Sequence, residues 1–486
     1  MTVSADDLDA SLVALRDQLS LKQKVRLLTG EDFWALPAEP AIGLRSLVVS
    51  DGPAGVRGRI WSELDPSLSF PSPTALAASW DAELVHRVAG LLAFEARRKG
   101  VDVLLAPTVN LHRSPFGGRH FECMSEDPLL TAVLGTAYVK GLQDHGVGAT
   151  AKHYVGNESE TDRFTVDIHV DERTLRELYL APFERMVIEG GAWLVMAAYN
   201  SVHGATMSEN PLLAHPLKDE WGFDGVVISD WHAARTTEAA GSAALDLVMP
   251  GPDGPWGDAL VAAVEAGSVA ESAIDDKVLR LLRLAARVGA LAGIDPPPAE
   301  TADDPDVLRV AAADGMVLLR NNDVLPLRDV RRVAVIGQLA ADARTQGGGS
   351  ATVIPDHTVS PLDGLRAALG PDVTVTHSVG VRLQESLRAI PVDDIDVDWL
   401  DANGIVLRHE LRHSGQLFWL GDAVREAAEL RLSCRLRADT AGTWRLGVVG
   451  RGRFTLALDK QTVLDETLVG EPHQPGETAV ERELAV

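Results

Sequence analysis

Cysteine is almost missing: Cys123 and Cys434 are the two in 486 residues, far apart in the chain. A disulfide framework and a Cys-rich zinc site are both excluded. Basic residues are also short. Lys and Arg total 45 against 70 Asp and Glu, a formal net charge of −25. Without a basic surface to attract phosphates, nucleic acid is excluded as a partner. Long apolar runs are absent. The longest, Ala192 to Tyr199, has eight residues, whereas a membrane span needs about 20, so no membrane partner is expected. The opening Met1-Thr-Val-Ser-Ala-Asp-Asp7 is acidic and lacks the basic start and apolar core of a secretory signal. The expected compartment is the cytoplasm. The histidines show no HExxH-like spacing, so no metal is expected. The Gly347-Gly-Gly349 loop matches neither GxGxxG nor a P-loop, and no cofactor is expected. Heptads, short-period repeats and extended low-complexity segments are lacking as well.

What remains is ordinary globular composition, 46% hydrophobic and 24% charged, which argues against disorder. The length suits two to four domains. Up to about residue 290, short apolar runs alternate with amphipathic stretches. The runs are Ser46–Ser50, Val103–Pro107, Ala149–Ala151, Leu194–Ala198, Val226–Ser229 and Leu245–Met249. Runs apolar on both faces are the signature of buried parallel strands. Between them, 81–99 carries Leu84, Val85, Val88, Leu91 and Leu92 on a helical stripe. The stretch 171–189 does the same, with Asp171 as N-cap. The pattern predicts an α/β fold, a (β/α)8-type TIM-like barrel over 1–292. A proline-rich linker follows at 293–305. A second α/β segment over 306–391 contains a helix at 307–319 and a buried strand at 332–336. From 392 to 486 the grammar is all-β, with a hairpin expected between Trp444–Val449 and Phe454–Leu458.

A parallel α/β barrel holds its active site at the carboxyl ends of its strands. The residues just past these strands are Asp51, Asn110, Lys152 and His153, Tyr199 and Asn200, and Asp230 and Trp231. Carboxylates and Lys can bind paired hydroxyls and Trp can cover a C–H ring face, so the set suits a neutral polyhydroxyl ligand such as a sugar. Each residue also has a plainer reading. Asp51 lies in Ser50-Asp-Gly-Pro53, a common turn sequence. Asp230 could cap a following helix. Tyr199 and Trp231 could be packing residues. Lys152 is the least bland, because a Lys so near a core is costly unless paired and the chain has only eight lysines against 37 arginines.

Five segments occur in order across about 200 residues: Ser50-Asp-Gly-Pro-Ala-Gly-Val-Arg-Gly58, Gly117-Gly-Arg-His-Phe-Glu-Cys-Met-Ser-Glu-Asp-Pro128, Lys152-His-Tyr-Val-Gly-Asn157, Ala198-Tyr-Asn200 and Ser229-Asp-Trp231. Together they resemble the family 3 glycoside hydrolases, above all the β-glucosidases. The resemblance runs to about Gly380. Beyond 392, Ala441-Gly-Thr-Trp-Arg-Leu446 and Thr455-Leu-Ala-Leu-Asp-Lys460 are similar to the protective-antigen-type β-sandwich insert of one branch. The resemblance implies a retaining β-glucosidase acting on a β-glucoside or oligosaccharide, without cofactor. It casts Asp230 as the nucleophile and Asp51 as acceptor for hydroxyls on the far side of the sugar. It makes Arg119, Lys152 and His153 donors around the ring, Arg57 and Tyr199 further pocket residues, and Trp231 the aromatic near the leaving group. Nearby cations such as Lys152 and Arg119 are expected to keep the nucleophile's pKa low.

The chain departs from the pattern in one respect. The family's β-glucosidases take their acid/base Glu from the second domain, past the insert where one is present. No residue here is assigned that role, and Glu158 is given none by the resemblance. The expectation is a C-terminally truncated chain, and the alternative reading is a catalytically impaired sugar-binding fragment. Lys152-His-Tyr-Val-Gly-Asn-Glu158 lacks the second His of the N-acetylglucosaminidase branch. A β-xylosidase and a homo-oligomer are both left open.

Overall fold

The computed structural model describes residues 5–294, 306–381, 383, 390, 392, 394–415, 417, 427–438, 441–469 and 479–485. From 295 on, the expected linker lies outside the described residues. The chain forms two compact units. The first is Met1–Trp61, Asp65–Pro326 and Arg344–His357; the second is Ser62–Leu64, Leu327–Ala343 and Thr358–Val486.

The first unit is built on a six-stranded sheet whose spatial order follows the chain: β1 (Ala35–Leu36), β2 (Leu47–Asp51), β3 (Val103–Leu105), β4 (Gly148–Tyr154), β5 (Leu194–Ala197) and β6 (Val226–Ser229). β2 to β6 are parallel, while β1 runs antiparallel to β2. Every residue of β3 to β6 is buried, as strands covered on both faces require. The sheet curls. Ile228 bridges to Leu247, and Val248 bridges to Thr29 just ahead of β1. The run expected as a strand at Leu245–Met249 is therefore held by single bridges rather than a ladder. Hydrophobic positions read from the sequence do face the core. Helix Ala82–Arg98 buries Leu84, Val85, Val88, Leu91 and Leu92, and Asp81 caps it by accepting from the Leu84 N–H at 3.0 Å. Asp171 caps Glu172–Thr174 in the same way, and the helix continues through a π-helical segment, Leu175–Leu180, into Ala181–Ile188. No helix among the described residues is long and apolar enough to cross a membrane.

In the second unit, β7 (Arg332–Ile336) pairs in parallel with β8 (Thr374–Ser378). The expected burial of 332–336 is not met: its residues alternate between exposed and half-buried. The expected helix at 307–319 belongs to the first unit and ends at Asp314. Further on, β9 (Ile395–Leu400) lies between β10 (Val406–Arg412) and β11 (Glu429–Cys434), all antiparallel. Ile395, Val397 and Trp399 form a separate small core. The hairpin expected across Gly450-Arg-Gly452 does not form. β12 (Thr443–Val449) pairs with β15 (Ala479–Ala485), and β13 (Gly452–Leu458) pairs with β14 (Gln461–Leu468). The tight turn lies at Asp459 and Lys460, both with positive φ (47° and 70°), the twist that suits a two-residue hairpin.

Candidate active site

The parallel strands deliver the candidate residues to one end of the sheet. Asp51 is the last residue of β2, Lys152 and His153 lie near the end of β4, Tyr199 follows β5, and Asp230 follows β6 directly. All five are buried. The scarce lysine is paired: Lys152 Nζ donates to Asp51 Oδ1 at 2.9 Å, and both side chains are inside the protein. Burial alone would raise the Asp51 pKa. The charges of Lys152 and Arg57, with the Lys152 hydrogen bond and one from Ser350, outweigh it and hold the carboxyl well below the usual range. Asp51 is thus a firmly ionised acceptor.

Asp230 behaves differently. Its pKa is raised, because desolvation outweighs Arg119, the Trp231 N–H, Lys152 and Tyr199, which all favour the carboxylate. The expected cations are present and act in the expected sense, but burial wins. The Trp231 N–H donates to Asp230 Oδ1 at 2.7 Å. Oδ2 has no hydrogen-bond partner among the described residues and faces His153 Nε2 at 3.6 Å. Burial, then the cations Arg119, Lys152 and Arg163, push the His153 pKa well below its ordinary value, so the imidazole is neutral at pH 7.

Arg119 is held by a fork. Its Nε and Nη2 donate to the two oxygens of buried Glu122 at 2.9 and 2.7 Å, a bidentate geometry that fixes the guanidinium plane. Arg57 is buried with its guanidinium 4.0 Å from the Trp34 ring centroid, a cation–π contact, and donates to the Ser350 carbonyl at 2.8 Å. Trp231 donates from Nε1 to the Phe33 carbonyl at 3.1 Å and packs 5.3 Å from Trp34. Tyr199 packs against Phe164 with ring centroids 4.5 Å apart and planes tilted by 59°, and Arg163 lies 5.1 Å from its ring centroid. The structure therefore gathers all eight candidates, Asp51, Arg57, Arg119, Lys152, His153, Tyr199, Asp230 and Trp231, into the first unit, linked through shared partners.

Several supporting residues escaped the sequence reading. Glu122 was visible as a carboxylate three residues past Arg119, a spacing that pairs on one helical turn. Trp34 and Phe33 stood out only as adjacent aromatics. Arg163 carried no local signal. Ser350 directly follows the Gly347-Gly-Gly349 loop. That loop belongs to the first unit, where Ser350 reaches Asp51. Among the described residues, no group of three or more His, Cys, Asp or Glu could hold a metal ion.

A curled parallel sheet thus carries, at its strand ends, the firmly ionised Asp51, Asp230 with one oxygen unpaired among the described residues, several cations and an aromatic flank, on an α/β fold. Residues 32–284 match the glycosyl hydrolase family 3 N-terminal domain and 316–463 match its C-terminal domain. The chain belongs to glycosyl hydrolase family 3. It is 42% identical over 465 residues to a β-glucosidase of Rhizobium radiobacter, covering 92% of this chain and 56% of that protein. It is 37% identical over 480 residues to β-glucosidase B of Emericella nidulans, covering 94% and 57%. Among solved structures, a Kluyveromyces marxianus β-glucosidase in complex with glucose superposes with a TM-score of 0.87 at 30% identity, over 98% of this chain and 62% of that one. The chain thus spans about half the length of the curated relatives it matches.

Proposed function

We propose that this chain carries the glucose pocket of a retaining β-glucosidase, set on a barrel of the (β/α)8 type. Asp230 Oδ2 attacks the anomeric carbon; the C1–O bond to the leaving group breaks and a C1–Oδ2 bond forms. Water then hydrolyses the glycosyl-enzyme. Asp51 accepts from hydroxyls on the far side of the ring. Lys152, Arg119 and His153 surround it, and Trp231 flanks the leaving-group side. The proton donor is assigned to no residue of this chain. The observation that carries the reading is the buried Asp230 Oδ2, without a hydrogen-bond partner among the described residues, in the same site as an Asp51 already paired with Lys152. The glucose named in the Kluyveromyces marxianus complex supports a glucosyl over a xylosyl unit. The test is Asp230→Asn with a nitrophenyl β-glucoside. Turnover should fall by several powers of ten, as loss of a nucleophile does, while the far-UV circular dichroism stays unchanged. Undiminished turnover in the folded variant removes the assignment.

A further inference from the structure

The mechanism leaves several buried polar side chains unused, Asn110 among them. Asn110 lies past the end of β3, fully enclosed, and all its amide contacts go to two residues. Its Oδ1 accepts from the His153 backbone N–H at 2.9 Å and lies 3.2 Å from His153 Nδ1. Its Nδ2 donates to the His153 carbonyl at 3.1 Å and to Glu158 Oε1 at 3.2 Å. A backbone N–H can only donate and a backbone carbonyl can only accept. These two partners therefore dictate which end of the Asn110 amide is oxygen, and Glu158 reinforces the choice. With Oδ1 facing the ring, His153 Nδ1 must carry the proton, and Nε2 is left with a lone pair pointing at Asp230 Oδ2, 3.6 Å away.

The geometry points to Asn110 as a positioning residue that holds His153 in the Nδ1–H tautomer, so that Nε2 is an acceptor beside Asp230. The consequence is electrostatic. An Nε2–H would place a partly positive hydrogen beside Asp230 Oδ2, 3.6 Å away, and draw on its lone pair. An Nε2 lone pair cannot. The significance for catalysis rests on the nucleophile assignment above; the tautomer itself does not.

The experiment is 15N-detected histidine NMR on the full chain, with glucose affinity measured by calorimetry. In the native protein, His153 should show a protonated Nδ1 and an unprotonated Nε2 at pH 7. A protonated Nε2 overturns the proposal without recourse to any variant. In Asn110→Ala the acceptor is gone, so the signals should exchange to the Nε2–H pattern as the ring turns its proton onto Asp230. Glucose binding should weaken by about tenfold, the scale of one lost hydrogen bond. An Nδ1–H pattern retained in Asn110→Ala also overturns it. A native-protein tautomer as expected, together with full turnover by Asp230→Asn, keeps the positioning role and discards only the nucleophile.

Discussion

Asp51 and Asp230 are the same residue type, both buried, and they shift in opposite directions. Asp51 has Lys152 on one oxygen and Arg57 nearby, while Asp230 Oδ2 has no hydrogen-bond partner among the described residues. The difference predicts opposite stability effects. With its folded pKa depressed, Asp51 stabilises above its unfolded value near pH ~4, and this is lost as pH falls through the folded value. Asp51→Asn would leave Lys152 as a buried unpaired cation and should cost about 3–5 kcal/mol. With its folded pKa raised, Asp230 opposes folding once the pH exceeds that same unfolded value. Asp230→Asn should therefore stabilise at pH 7 by about 1 kcal/mol, the trade-off common at functional sites. Urea melts check both. The Asp230→Asn gain should shrink steadily as the pH falls below the unfolded value near pH ~4, and a gain undiminished there contradicts the argument.

At the scale of elements, the pocket depends on a loop read from the sequence as part of another domain. Residues 344–357 pack in the first unit. Gln346 braces the loop, donating to the Val353 carbonyl at 2.9 Å and accepting from the Val353 N–H at 2.7 Å. Gln346→Ala should loosen Ser350 beside Asp51 and Arg57. The expected result is weaker glucose binding with faster amide exchange confined to this loop; exchange spreading into β2 or β4 would indicate general unfolding instead. The β13–β14 turn offers the converse case. Lys460 sits at φ 70°, a conformation that costs a side-chain-bearing residue about 1–2 kcal/mol, so Lys460→Gly should stabilise the second unit by about 1 kcal/mol in a urea melt. The sequence reading placed a hairpin at Gly450-Arg-Gly452 because glycines mark turns. Asp459 and Lys460 are weaker local signals, and pairing of 443–449 with the distant 479–485 segment prevailed.

For the whole molecule, the two units have separate cores. One is a large apolar cluster around the curled sheet, and the other is built on Ile395, Val397 and Trp399. Calorimetry should resolve two transitions, the second unit melting first. Glucose should raise only the first unit's transition, by about 2.7 kcal/mol at 100 times its dissociation constant. A single transition displaced as a whole would contradict this.

The sequence by itself determined the alternating α/β order, the strands at whose ends the candidate residues stand and the helix stripe at 84–92, and it nominated the eight candidates. These are local matters. Apolar runs and capping residues act within a few positions of themselves, and strand ends in a parallel sheet converge whatever the detail. The bridges from Ile228 to Leu247 and from Val248 to Thr29, the Glu122 fork on Arg119, the return of Ser350 to Asp51, and the reversal of the Asp230 pKa were decided only by tertiary structure. Each depends on which distant groups exclude water from a given atom. Desolvation is a property of the packed surroundings, which no spacing along the chain encodes.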